Sequence, residues 1–382
     1  MTSFQKAMVM HVPYLNRGGE DVHVDALLST YQKLGIKTKR YPFLTDQRKS
    51  LLESSLKSLF PTGSFPELDE LMNEFQPDFF HLHNIFPHLG PRFLRWLQKR
   101  KIPALMTIHN HRFFCTNGLA LRNGKVCKDC FSTPSPWKAL IHNCNDSFSR
   151  TAYHFLALSQ IRQNNLLLDA VRFFIAPSPY IATELELFGI PHNRIRMIMH
   201  PLDIPSPDAT TIKYDAIYAG RLSQEKGIAV LLKTIALAPE LRFAIVGDGP
   251  LASQVDSFSK THSNLSYFPH RNHSEALSLI AQSRVGILPS ICNEILSLFA
   301  MEVFIQGKSC VVADQDSMRW FQGGEFPGVL ARSGDAKDFV RALKVALAKP
   351  NLSAENKTEL KKKLAPQRFS TELANLVAEL ST

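Results

Sequence analysis

The stretch Pro289-Ser-Ile-Cys-Asn-Glu-Ile-Leu-Ser-Leu-Phe-Ala-Met-Glu302 follows an apolar run, Val285 to Leu288, that reads as a buried strand ending at the proline. After a short polar loop, Leu298, Phe299, Met301, Val303 and Phe304 predict a helix that begins near Leu296. Glu294 then falls in the loop at the carboxyl end of the strand, and Glu302 about two turns inside the helix. In open α/β sheets, ligands bind beyond the carboxyl ends of the strands, where helix N-termini offer unpaired N–H groups to phosphates. Carboxylates accept paired hydrogen bonds from neighbouring hydroxyls. One acid at such a mouth and one further along therefore suit an elongated ligand carrying sugar and ribose diols. The competing reading is a solvated glutamate pair at helical spacing.

A chain of 382 residues predicts two domains, each able to bury a core. Its 45% hydrophobic and 20% charged content is that of an ordinary globular protein. No apolar run approaches the roughly 20 residues of a membrane-spanning helix. Residues Met1 to Lys6 lack the apolar core of a signal peptide, so the expected location is the cytoplasm. The net charge of +10 suits an anionic membrane surface, a phosphorylated substrate or nucleic acid. No nucleic-acid motif accompanies that charge, which leaves a phosphorylated ligand and peripheral contact at the inner face of the membrane. Clusters such as Lys99-Arg-Lys101 and Lys361-Lys-Lys363 also read simply as solvated basic faces.

From the N-terminus, Ala7-Met-Val-Met-His-Val-Pro13 reads as a strand that runs into Tyr14-Leu-Asn-Arg-Gly-Gly-Glu20. Val22, Val24, Ala26, Leu27, Leu28, Tyr31 and Leu34 then mark a helix. The pair Gly18-Gly19 would let backbone approach a diphosphate closely. Residues 36–43 read as a second strand and 46–75 as a helix broken at Pro61 and Pro66. Pro77-Asp-Phe-Phe-His-Leu-His-Asn84 and Ile102-Pro-Ala-Leu-Met-Thr-Ile-His-Asn-His111 are strands that end in His81, His83, His109 and His111. One histidine there would read as structural; four converging on strand ends read as a ligand mouth.

Residues 112–145 interrupt the alternation with Cys115, Cys127, Cys130 and Cys144. In a reducing compartment such a set favours metal over disulfides, and four thiolates suit a closed structural zinc site that would order a polar loop. Reduced free thiols or a redox pair are the alternatives, since only one Cys-x-x-Cys is present. A long helix over 147–168 leads to further strand–helix units, and the proline-dense 201–210 reads as a linker. The alternation restarts with Asp215-Ala-Ile-Tyr-Ala-Gly220 and Arg221-Leu-Ser-Gln-Glu-Lys-Gly227. The expected architecture is α/β: two doubly wound Rossmann-like domains facing a cleft. Their expected bounds are 1–200 with the insert 112–145, and 211–365, followed by a C-terminal helix in 366–382 that packs back on the first.

Five motifs stand in order along nearly the whole chain. They are Gly18-Gly19-Glu20, His109, Gly220-Arg221 through Lys226-Gly227, Val246-Gly-Asp-Gly-Pro250 and the Glu294/Glu302 pair. Together they resemble a retaining glycosyltransferase of family 4 with the GT-B fold, of the bacterial surface-polysaccharide type with a Cys-bearing insert. The resemblance implies a nucleoside diphosphate sugar as donor and a glycan or lipid-linked acceptor. It implies that Arg221 and Lys226 stabilise the departing diphosphate, which removes the need for a catalytic metal. It places Glu294 on hydroxyls of the donor sugar, Glu302 on the ribose and His109 on the donor sugar. Gly18, Gly19, Gly220, Ser297 and Leu298 line the donor.

Ser297 departs from the family pattern, which has glycine there; its Cβ is expected to crowd the phosphate or redirect the backbone, or its hydroxyl to donate a hydrogen bond that partly compensates. That departure supports a rival reading, a degenerate nucleotide-sugar-binding scaffold subunit without activity. A glycoside hydrolase is disfavoured, because eight helical residues separate two carboxylates by about 12 Å, beyond what such enzymes use. The fragment Gly247-Asp-Gly249 lacks the third glycine and distant acid of a dinucleotide oxidoreductase.

Overall fold

A computed structural model describes residues 4–12, 18–41, 51–60, 65–204, 211–269, 271–323 and 326–381, with the side chains of 51–54 and 67 left aside. Residues 14–17 of the first glycine loop, 42–50 and the linker residues 205–210 lie outside it. The chain divides into two compact units. One holds Met1–Ala120, Cys127–Pro201 and Pro366–Thr382, and the other Leu121–Val126 and Leu202–Ala365.

The first unit is built on a parallel sheet whose inner strands are short apolar runs, buried on both faces as parallel sheets require, while the edge strands Lys37–Arg40 and Ile195–Met197 are more polar and less buried. They are β1 (Lys6–Met10), β2 (Lys37–Arg40), β3 (Phe79–Leu82) and β4 (Ala104–Thr107). After β5 (Leu121–Arg122) and β6 (Lys125–Val126), a separate two-stranded hairpin of the insert that is grouped with the second unit, come β7 (Phe173–Ala176) and β8 (Ile195–Met197). The order is β2-β1-β3-β4-β7-β8. The chain leaves β1 toward β2 and returns on the other side as β3, so a topological switch point lies beyond the ends of β1 and β3. The C-terminal helix Pro366–Leu380 buries Phe369, Leu373, Leu376, Val377 and Leu380 in one cluster with Ala7, Leu27, Tyr31 and Phe79.

The second unit repeats the scheme with β9 (Tyr214–Ala219), β10 (Phe243–Val246), β11 (Leu265–Phe268), β12 (Ser283–Leu288), β13 (Cys310–Ala313), β14 (Gln322–Gly323) and β15 (Phe326–Ala331). The order β11-β10-β9-β12-β13-β15-β14 is parallel except for the edge strand β14, and its switch point lies between β9 and β12. Both units are thus Rossmann-like, as the alternation predicts.

Two local expectations need correction. The helix after β12 begins at Leu298, because Ser297 caps it by accepting a hydrogen bond from Ala300 N at 3.3 Å. Glu302 therefore sits about one turn inside the helix, not two. The helix expected over 147–168 is two, Phe148–Gln163 and Leu166–Ala170, because Asn165 between them takes a left-handed φ of 48°.

Candidate functional site

In the second unit, two loops beyond the switch point are pressed together by glycines. Gly227, at φ 72°, opens the helix Ile228–Leu237, and a Cβ there would stand 1.9 Å from Pro289 O. Ile291 N also donates to Glu225 O at 3.0 Å. The loop after β9 therefore lies directly on the loop after β12. Gly247, at φ 138°, allows the end of β10 the same closeness, since its Cβ would lie 2.0 Å from Gly220 O. Leu222 N to Asp248 O and Tyr218 Oη to Arg221 O, both 2.8 Å, then fix the path of Gly220-Arg221-Leu222.

This packing carries Lys226 to Glu294, with Nζ 2.8 Å from Oε1. Ser290 Oγ donates to the same oxygen, and Glu294 N donates to Ser317 Oγ at 3.0 Å. Burial alone would lower the lysine pKa, but the adjacent Glu294 carboxylate outweighs it and raises the value, which keeps the lysine charged. Glu302 repeats the pattern: its Oε1 lies 2.7 Å from His273 Nε2, and that hydrogen bond raises the histidine pKa.

Among the described residues, Oε2 of each glutamate accepts no hydrogen bond, and neither oxygen is sealed from solvent. Each acid is thus anchored by one oxygen and offers the other. Arg221 is exposed and has no acceptor among the described residues. His273 was not legible as a site residue. It is the first residue of the helix His273–Ala281, which is held by an Asn272–Glu275 capping box and, at its far end, by Lys308 Nζ on the carbonyls of Ile280, Ala281 and Ser283.

At Ser297 φ is −82°, a conformation open to any residue, so the backbone there does not call for glycine. Its oxygen accepts from Ala300 N, which leaves the hydroxyl hydrogen free to donate.

In the first unit, the strand ends gather histidines. His83 Nδ1 lies 2.8 Å from His109 Nε2. His23, from the helix Gly19–Lys33, packs against both His109 (centroids 4.9 Å apart) and His200 (3.8 Å). His81 stacks under His83 at 4.6 Å but is locked by Tyr31 Oη (2.7 Å) and Thr107 Oγ1 (2.8 Å). His111 turns instead to Tyr180 Oη, 3.3 Å away. So His81, His83 and His109 converge, His111 does not, and His11, His23 and His200 join unannounced. Burial, reinforced by the neighbouring imidazoles, pushes the pKa values of His23, His83 and His109 well below the usual range.

His11 behaves in the opposite way. Burial would lower its pKa, yet the carboxylates of Glu20 and Asp21 raise it. Its Nε2 is 3.0 Å from Asp21 Oδ1; its Nδ1 is 3.2 Å from Glu20 Oε1 but off the hydrogen-bond direction. Asp21 Oδ2 also accepts from Gly18 N at 2.8 Å. Gly18 is therefore the N-cap of that helix with its amide already satisfied, and Gly19 is its first residue.

The four insert cysteines are free thiols close enough to act on one another electrostatically; burial and then Cys115 push Cys130 up to about 11. No three of them bring sulfurs within 4.8 Å of one another among the described residues. What pins the insert is Arg162, whose guanidinium donates to the carbonyls of Phe113, Phe114, Cys130 and Thr133.

Two family models match. "Glycosyltransferase Family 4" matches residues 17–204, and "Glycosyl transferases group 1" matches 204–363. No curated protein matches by sequence. Among solved structures, the chain is similar to a sucrose-phosphate synthase from Thermosynechococcus elongatus, with 15% identity, a TM-score of 0.67 and coverage of 98% and 99% of the two chains. It is similar to Anabaena HepE in complex with UDP and glucose, with 12% identity, a TM-score of 0.65 and coverage of 98% and 100%. A lipopolysaccharide outer core galactosyltransferase, WaaB, gives 14% identity, a TM-score of 0.63 and coverage of 98% and 99%. At these identities the solved structures speak for the fold alone, while the two family models together span residues 17–363. The chain belongs to glycosyltransferase family 4 and has its GT-B fold.

Proposed function

We propose that this glycosyltransferase moves a sugar, with retention of anomeric configuration, from a nucleoside diphosphate sugar to a glycan or lipid-linked acceptor in polysaccharide or lipopolysaccharide biosynthesis. The observation that carries this reading is the pair of half-engaged glutamates at the switch point of the second unit. Each keeps one oxygen on a protein nitrogen, Lys226 Nζ or His273 Nε2, and presents the other to solvent, as a carboxylate that must receive ligand hydroxyls would. In this reading Glu294 receives the donor sugar and Glu302 the ribose.

Arg221 and Lys226 face the diphosphate. As the bond from the anomeric carbon to the phosphate oxygen breaks, its electron pair stays on that oxygen, and the two cations stabilise the added charge without a catalytic metal. The acceptor hydroxyl attacks from the same face and gives its proton to a donor phosphate oxygen. Ser297 and Leu298 lie at the start of a helix whose dipole favours phosphate. The resemblance gives Gly18, Gly19 and Gly220 to the donor phosphates and His109 to the donor sugar. A donor such as UDP-glucose, which a structure of Anabaena HepE contains, is a sensible first trial.

A membrane-facing acceptor is supported by the exposed Trp137, Ile141 and Phe148, with the exposed Arg150 on the same insert-and-helix segment. Binding to anionic vesicles that is lost in Trp137→Ser would bear this out, and vesicle binding that ignores the substitution would remove it. Cys115, Cys127, Cys130 and Cys144 are proposed to bind one structural zinc, for which their sulfurs must draw closer than they stand here; zinc content that falls in Cys127→Ser checks this, and zinc content that the substitution leaves unchanged removes it.

The transfer itself is tested by NMR of the sugar released from an α-linked donor. The α-anomer should appear first, without added divalent metal. Release of the β-anomer would overturn retention, and dependence on added metal would overturn the role of the cations. A degenerate scaffold remains the second reading only if donor binds and no sugar is ever released.

A further inference from the structure

We propose that His23, His83 and His109 form a binding site for a borderline divalent transition metal such as Zn2+ or Co2+. One ring nitrogen of each lies within 4.8 Å of the other two, the only such grouping of histidines, cysteines or acids among the described residues. A tetrahedral ion with metal–nitrogen bonds of about 2.0–2.1 Å needs ligand nitrogens about 3.3 Å apart. The three nitrogens lie within 4.8 Å of one another, and His83 Nδ1 and His109 Nε2 are 2.8 Å apart.

The second observation is the set of nitrogens with nothing to do. His23 Nδ1, His83 Nε2 and His200 Nδ1 are buried and have no hydrogen-bond partner. Buried polar atoms are satisfied in the great majority of cases, and each orphan costs roughly 1–3 kcal/mol. His81 shows how this fold satisfies an imidazole when it needs only a hydrogen bond: both of its nitrogens are taken, by Tyr31 and Thr107. His23 and His83 lack that treatment, as does the flanking His200, while His109 Nε2 meets only another imidazole, that of His83.

The donor set selects the ion. Neutral imidazoles suit zinc, cobalt, nickel and copper, whereas magnesium and calcium demand oxygen ligands. Glu20 and Asp21, on the same helix as His23, are turned to His11. Three protein ligands leave a fourth position, flanked by His200, whose ring lies 5.2 Å from that of His109. The site belongs wholly to the first unit, and its existence does not rest on the transferase reading. If His109 does face the donor sugar, an ion held there withdraws it, so Zn2+ would inhibit transfer.

Co2+ titration of metal-free, reduced protein tests the site, with no donor present. A three-imidazole site gives visible d–d bands without the sulfur-to-cobalt charge transfer that insert cysteines would add. His23→Gln and His83→Gln should each weaken the sulfur-free binding by at least about 100-fold. His154→Gln, a buried histidine outside the cluster, should leave it unchanged. Where a variant does not fold, Cu2+ electron paramagnetic resonance on the wild-type protein serves instead, since the nitrogen splittings count the imidazoles bound. Absence of sulfur-free Co2+ bands in folded wild-type protein overturns the proposal. So does binding that survives both substitutions, or a Cu2+ spectrum without three nitrogens. The readouts ignore turnover, so an inactive chain that binds metal, or an active one that does not, separates this inference from the proposed function.

Discussion

The two units share a sheet scheme and each gathers its chemistry at a switch point, yet they equip that point in opposite ways. Beyond β9 and β12 stand carboxylates paired with cations, fixed by one oxygen and open at the other. Beyond β1 and β3 stand imidazoles crowded against one another, held neutral, with nitrogens left over. The first arrangement is charged and, in the proposed function, receives hydroxyls and phosphate. The second is a basin of lone pairs. A common topology thus fixes where a site lies but not what it binds.

The largest effect should come from the close approach that builds the carboxylate mouth. Gly227→Ala puts a methyl group 1.9 Å from Pro289 O at a left-handed φ and should destabilise the second unit by roughly 3 kcal/mol or more in urea unfolding. The matching change in the first unit, Gly18→Ala, meets nothing within 4 Å and should cost within about 0.5 kcal/mol. If Gly18→Ala nevertheless raises the donor KM, ligand approaches that backbone as the resemblance implies. If both changes are silent in unfolding, the packing argument for the second unit is wrong.

Next in size is the ion pair. Lys226→Ala should lower kcat about 100-fold and also cost about 1–3 kcal/mol of stability, because Glu294 is left buried with one partner fewer. Arg221→Ala should lower kcat comparably while leaving stability within about 0.5 kcal/mol, since Arg221 is exposed. Equal stability losses in the two variants would erase the distinction between an anchored and a free cation.

Acid should separate the units. In metal-free protein His81, His111, His154 and His200 have pKa values of about 3, all lowered by burial, against an ordinary value of 6.5. The unfolded chain binds more protons between those values. The stability they contribute is therefore complete above pH 6.5 and is lost as pH falls toward 3, at about 1.4 kcal/mol per pH unit for each. His11, whose pKa is raised, runs the other way as a smaller term. On acidification, hydrogen exchange should show the first unit opening before the second. Simultaneous opening, or the reverse order, would contradict the contrast.

Smallest is His273→Asn. The histidine is raised by Glu302, so it stays protonated above the ordinary value and releases Glu302 as pH rises through its own pKa. The variant should change donor KM only a few-fold and flatten its pH dependence above neutrality.

Much of the second unit is legible in the sequence because its site residues are charged, sit beside glycines, and lie within two short loops. Gly220-Arg221 through Gly227 follows one strand, and Glu294 with Glu302 follows another. Even there the helix starts later than its apolar pattern suggests, since Ser297, which stands at a glycine position of the family, caps the helix by accepting from Ala300 N. The first unit hides more. His11, His23 and His200 come from a strand end, a helix face and a distant loop, and nothing local distinguishes them from core histidines. His23 shares a helix with the buried Val24 and Leu27, a position where burial alone would be expected. Conversely His111, two residues from His109, leaves the cluster because its turn aims it at Tyr180 and Phe131. Spacing along a strand end says which residues are near the mouth, not which way each one turns.

The central claim is that the half-engaged glutamates receive a nucleoside diphosphate sugar, and thermal unfolding with UDP, GDP and their common sugars tests it most directly. A ligand at 100 times its Kd should stabilise the wild-type protein by about 2.7 kcal/mol. One nucleotide class should do so, and the shift should vanish in both Arg221→Ala and Glu302→Ala. No shift with any nucleotide sugar, or a shift that both variants retain, would contradict the account.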